Sequence, residues 1–177
     1  MKRPFTVGRL LAAMRETLEL ELIGDDATLA REITSPEVSS PGLVLAGYVE
    51  RFPSERLQVF GETEVAYLNS LAAAQRRHVL EQFFSFPVPA VCVTKALELP
   101  EEMAQIASAT GVPILRSALK TNEFYARIKP VLTDEFAPST NIHGSLADVY
   151  GVGLLFIGQS GIGKSECVLD LVERGHR

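Results

Sequence analysis

The chain has 177 residues, 46% hydrophobic and 22% charged; that size and balance fit one mid-sized domain, or one domain and part of a second, and exclude a disordered or fibrous chain. Seventeen Lys and Arg against 22 Asp and Glu give a net charge of −5, and without a Lys/Arg run this argues against nucleic acid or an anionic membrane as the main partner. No long apolar run follows Met1-Lys2-Arg3, so neither a signal peptide nor a membrane-spanning helix is expected.

Residues 6–18 read as a helix: Thr6 suits the cap, and Leu10, Leu11, Met14 and Leu18 share a face. Leu43 to Tyr48, behind Ser39-Ser40-Pro41-Gly42, reads as a loop followed by a buried strand. Leu57-Gln58-Val59-Phe60 is a second strand. Gly61 breaks it, and Glu62 and Glu64 carry the negative charge that a helix N-terminus favours. That helix is expected to run to about Phe83, burying Val65, Leu68, Ala72, Val79, Leu80 and Phe83. Ala90 to Thr94 is a β-rich apolar run. Pro100, Glu101 and Glu102 open a helix that Gly111 closes, and Val112 to Leu115 is another strand. Residues 121–136 are predicted helical with a break near Pro130. Short strands alternating with helices predict an α/β domain with a mostly parallel sheet. Two cysteines, Cys92 and Cys167, are too few for a disulfide framework; both lie in apolar segments and are expected to be reduced core thiols of a cytoplasmic protein.

The polar stretch 133–142, with Pro138 inside it, is the expected linker between residues 1–132 and a second region from 143. In that region Asp148 to Gly151 reads as a turn and Val152 to Ile157 as a fully buried strand. Glu166 to Arg174 reads as a helix stopped by Gly175. Between strand and helix lies Gly158-Gln159-Ser160-Gly161-Ile162-Gly163-Lys164-Ser165. It satisfies G-x-x-x-x-G-K-[ST], the phosphate-binding loop, or P-loop.

The chemistry accounts for each residue type. Gly158, Gly161 and Gly163 allow backbone angles other residues resist and let amides approach a phosphate closely. Successive N–H groups and the helix N-terminus form an anion nest. Lys164 is suited to reach the β- and γ-phosphates, and the Ser165 hydroxyl to ligate Mg²⁺. The motif alone leaves the reaction open among kinases, GTPases, transporter ATPases and motors.

The stretch from Ile142-His143-Gly144-Ser145-Leu146-Ala147-Asp148-Val149-Tyr150-Gly151 through the loop to Glu173-Arg174-Gly175-His176-Arg177 resembles the bacterial HPr kinase/phosphorylase family. So do Ser40 to Tyr48, Phe52 to Gly61, and Gly111 to Ser117, so the resemblance covers nearly the whole chain. It implies an ATP-dependent serine kinase acting on HPr, the small phosphocarrier of the sugar phosphotransferase system. The same site would run the reverse reaction with inorganic phosphate. It further implies a cytoplasmic homohexamer in carbon catabolite control, with an N-terminal α/β domain and a C-terminal kinase domain.

By the same resemblance, positions 158–165 match the ATP-binding loop, Lys164 a catalytic lysine, Ser165 a Mg²⁺ ligand and His143 an active-site histidine. Gln159 stands at a spot often acidic in the family; the loop backbone does the binding there, so little effect is expected. His78 and His176 carry no such match. The family's general base, acidic Mg²⁺ partner and catalytic arginine would lie beyond Arg177, so the 177-residue chain alone is expected to be inactive. Two alternatives stand beside this reading: another P-loop NTPase, and a non-catalytic folding or interaction module.

Overall fold

The computed structural model describes residues 4–177, which form two compact units divided between Ala137 and Pro138. The first unit is built on a five-stranded sheet. Its strands are β1 (Leu20–Ile23), β2 (Val38–Ser39), β3 (Leu57–Phe60), β4 (Val91–Val93) and β5 (Ile114–Ser117), in the spatial order β1-β5-β4-β3-β2. From β2 to β5 all pairings are parallel; β1 joins antiparallel on β5. The mostly parallel sheet expected from the alternation of strands and helices is therefore present.

Its helices are α1 (Val7–Met14), α2 (Gly42–Leu45), α3 (Glu62–Ser70), α4 (Ala73–Phe84), α5 (Glu101–Thr110) and α6 (Thr121–Phe136). Strand parity divides the core in two. Leu57, Val59, Cys92 and Leu115 face a cluster with Val7, Leu10 and Met14 of α1 and Phe124, Ile128 and Leu132 of α6. Phe60, Val91, Val93 and Ile114 face Val44 and Leu45 of α2, Leu68 of α3, Leu80 and Phe83 of α4, and Met103 and Ile106 of α5. Steps β2→β3→β4→β5 all run the same way across the sheet, and crossovers of one hand then lay their helices on one face.

Several elements differ from the sequence expectation. Leu43 to Tyr48 is not a strand: Gly42–Leu45 forms one helical turn, Leu43 is 71% exposed and Gly47 ends the segment at φ +98°. Four apolar residues fit a helical turn as well as a strand, and Pro41 presets the turn's entry. The long helix from 62 is two helices, because Leu71 and Ala72 are extended. The first helix stops at Met14, and Leu18 is buried from the connection that follows. Pro130 does not break α6, which runs unbroken through it. Both Pro130 and Ala126, whose carbonyl loses its helical partner, lie on the solvent side, where water can take the bond.

Local bonds fix the joints. The Gly61 amide donates to the Glu64 carboxylate at 2.9 Å, closing the start of α3. Gly111, at φ +66°, ends α5. Fully buried Gln58 donates to the carbonyls of Pro53 and Arg56, both at 3.0 Å, and accepts from Ser39, pinning the short edge strand β2 to β3. Phe83 is 1% exposed, with the rings of Phe52, Phe60 and Phe84 at 5.8, 5.4 and 5.0 Å.

The second unit is a hairpin and a helix: β6 (Gly144–Val149), β7 (Val152–Ile157) and α7 (Lys164–Glu173). Strand β7 was expected to be fully buried. None of its six residues is buried, and Leu154 and Leu155 are still 40% and 48% exposed, because β6 is its one strand partner within this unit. Cys92 is a core thiol as expected, but Cys167 is exposed on α7, which has no buried residue.

The ring cluster makes a test. Phe83→Ala should cost about 3–5 kcal/mol of stability in urea unfolding followed by circular dichroism. Leu146→Ala, at a residue 68% exposed in β6, should stay within about 0.5 kcal/mol. A loss below about 1 kcal/mol for Phe83→Ala would contradict tight packing of the rings.

Candidate functional site

The site is built by the β6–β7 hairpin. Its turn residues Tyr150 and Gly151 have φ +54° and +81°, as a two-residue hairpin turn of the primed type requires. The Gly151 amide donates to the Asp148 carboxylate at 2.9 Å and locks the turn. Register follows: Val149 faces Val152 and Gly144 faces Ile157. His143 directly precedes Gly144, and Gly158 directly follows Ile157. The hairpin thus carries His143 to the first residue of the glycine-rich loop.

Residues 158–163 form that loop, and α7 begins at Lys164. Gly161 and Gly163 have φ +82° and +89°, a conformation that L side chains resist. The Lys164 ammonium donates to the carbonyls of Gly158 at 2.9 Å and Gln159 at 2.6 Å, tying the helix start to the loop start. A methyl group at Gly158 would lie 3.3 Å from an Ile162 methyl and 3.9 Å from the Lys164 stem, so the exposed Ile162 side chain would have to give slightly to admit it. The first helical bond is donated by the Cys167 amide to Gly163. The amides of Lys164, Ser165 and Glu166 therefore have no partner within the helix. Ser165 stands in the first turn with its side chain exposed, as are Ser160 and Ile162. One ammonium, one hydroxyl, unpaired helix amides and open glycines form a donor set that fits a polyphosphate with its metal ion.

The sequence-selected residues 158–165 and His143 thus come together at one end of the hairpin. Sequence reasoning missed β6 and took Asp148 to Gly151 as a turn alone. The signal was Tyr150-Gly151, two turn residues with strand residues on both sides. Helix α7 ends as foreseen at Gly175 (φ +92°), with the His176 amide donating to Leu171 and the Gly175 amide to Val172. At the hairpin's far end the Tyr150 and His176 rings meet edge to face at 4.8 Å. His78 is exposed on α4.

The first unit has a separate open cleft of about 410 Å³ at the carboxyl ends of β3 to β5, lined by Gly61, Glu62, Lys95, Lys120 and Thr121. There Lys95 donates to Glu62 and, by that bond and its charge, holds the Glu62 carboxyl below the usual carboxylate range. Among the described residues no helix is long and apolar enough to cross a membrane.

Comparison with known proteins agrees over both units. The family model for the HPr serine kinase N terminus matches residues 5–132, and that for the HPr serine kinase C-terminal domain matches 134–177. HPr kinase/phosphorylase 1 of Oceanobacillus iheyensis is 43% identical over 162 residues, covering 92% of this chain and 52% of that protein. The HPr kinase/phosphorylase of Bacillus pumilus is 41% identical over the same shares, and that of Brevibacillus brevis is 43% identical over 89% of this chain and 51% of its own. The chain spans about half the length of the curated relatives it matches. A solved structure of the CBS and DRTGG domains of the regulatory region of Clostridium perfringens pyrophosphatase, complexed with its activator diadenosine tetraphosphate, shares the fold alone. Its TM-score is 0.52 at 13% identity, over 76% of this chain and 52% of that one. With both domain models matched in order along one chain, this protein belongs to the HPr serine kinase family.

Proposed function

We propose that the chain binds ATP with Mg²⁺ through residues 158–165, as part of a cytoplasmic, hexameric kinase. That kinase would phosphorylate a serine of HPr and reverse the reaction with inorganic phosphate. In this reading residues 1–132 are the N-terminal domain, 133–142 the linker, whose first four residues complete α6, and the kinase domain opens at 143. The observation that carries it is the Lys164 ammonium, held by the Gly158 and Gln159 carbonyls at the N-terminus of α7.

ATP supplies the phosphoryl group, and Mg²⁺ adds positive charge against the phosphate oxygens. The chain's own part is positioning and electrostatics. Loop amides and the start of α7 face the phosphates without needing a side chain. Lys164 sets a fixed cation where negative charge develops on the transferring group. The Ser165 hydroxyl offers one metal ligand. His143 precedes the first residue of β6, whose pairing with β7 supports a place for it near the loop; there it would hold or move a proton near the transferring group. For the 177 residues alone we expect weak nucleotide binding without transfer, since β7 and the loop are open to solvent.

In an active polypeptide carrying these residues, Lys164→Ala should lower HPr phosphorylation on the order of 10²–10³-fold. Full activity in that variant rules the reading out. Ser165→Ala should weaken binding of Mg-ATP more than binding of metal-free ATP in calorimetric titration.

His143→Ala should slow phosphorylation and phosphorolysis alike, by about 10²-fold or more, with an unchanged melting temperature. A variant that melts early yet keeps its specific activity would show His143 to be structural only.

A further inference from the structure

Gly144 has the tightest surroundings of any glycine in the second unit. A Cβ built there would lie 2.7 Å from the Phe156 carbonyl oxygen and 3.0 Å from a Leu155 methyl. The first contact is with backbone, which cannot swing aside as a side chain can. Gly144 is also the last paired residue of β6, facing Ile157. Its neighbours along the two strands are His143 on one side and Gly158 on the other.

We propose that Gly144 is a positioning residue for His143, an inference that rests on the nucleotide-binding reading of the loop. Its bare Cα lets the end of β6 lie close against Phe156–Ile157, so that His143 stays beside the start of the loop. A side chain at 144 prises apart this one end of the hairpin. The turn end, closed by Tyr150, Gly151 and the Asp148 carboxylate, is unaffected. His143 then swings away from the loop while the loop keeps its own bonds, Lys164 to Gly158 and Gln159.

The same hairpin supplies a matched control. Gly153 lies in β7, and a Cβ there would meet only a Leu146 methyl at 3.8 Å, an ordinary contact. Both substitutions add one methyl to one strand glycine, so a general effect on strand propensity is common to the two.

The test is nuclear magnetic resonance on the isotope-labelled 177-residue chain, titrated with Mg-tripolyphosphate at millimolar concentration. The His143 ring is assigned with His143→Gln. In the parent and in Gly153→Ala, the loop amides of 161 and 163 and the His143 ring should all shift. In Gly144→Ala the loop amides should shift with a midpoint within about threefold of the parent, while the His143 response falls at least fivefold. Three results overturn the proposal with the binding reading intact: an undiminished His143 response in Gly144→Ala, an equal loss in Gly153→Ala, or no His143 response in the parent. Collapse of the whole β6–β7 amide pattern in Gly144→Ala also overturns it, since the glycine is then a requirement of the hairpin at large. If the loop amides never move, the nucleotide-binding reading fails and takes this inference with it.

Discussion

Three short strands, Leu57–Phe60, Val91–Val93 and Ile114–Ser117, have next to no solvent face, and the first unit is arranged around that constraint. A parallel sheet buried on both sides needs a helical layer on each. Adjacent residues therefore go to different cores: Cys92 to one, Val91 and Val93 to the other. Gln58 and Ser117 are buried polar exceptions, and both are hydrogen-bonded: Gln58 has three partners, and the Ser117 hydroxyl donates to the Leu18 carbonyl and accepts from the Leu119 amide. The antiparallel edge strand β1 closes the side of the sheet that the crossovers leave open.

Legibility in the sequence followed burial. The strands at 57, 91 and 114 announced themselves as apolar runs with β-branched residues, and α5 was bracketed by Pro100 and Gly111. The edge strands were not legible: Val38–Ser39 is two residues held by pairing, and Leu20–Ile23 is set by its partner β5. Leu43 to Ala46 misled because a four-residue apolar run has no period of its own. Pro130 misled because a helix tolerates proline where the orphaned carbonyl is hydrated.

At the candidate site the reverse held. Residues 158–165 were legible one by one, since each glycine, the lysine and the serine answers to a specific demand of phosphate chemistry. The placement of His143 was not. It arises from the pairing of β6 with β7, and pairing register is a property of two segments together. Burial was misjudged in the same region. Apolar Val152 to Ile157 has one strand partner here, and apolarity says that a strand can be covered without saying by what.

The two thiols differ in a way that matters for handling the molecule. Cys92 lies sealed within the sheet, and burial pushes its thiol up to about 12, so almost none of it is thiolate at neutral pH. Cys167 is exposed in the first turn of α7, three residues after Lys164. A maleimide dye or nitroxide offered to the folded chain therefore has one reachable sulfur. It would attach next to the glycine-rich loop without any cysteine having to be engineered in or out. The native sequence thus carries its own reporter position: the Cys167 amide is bonded to Gly163 of the loop, while its thiol projects from the helix exposed to solvent.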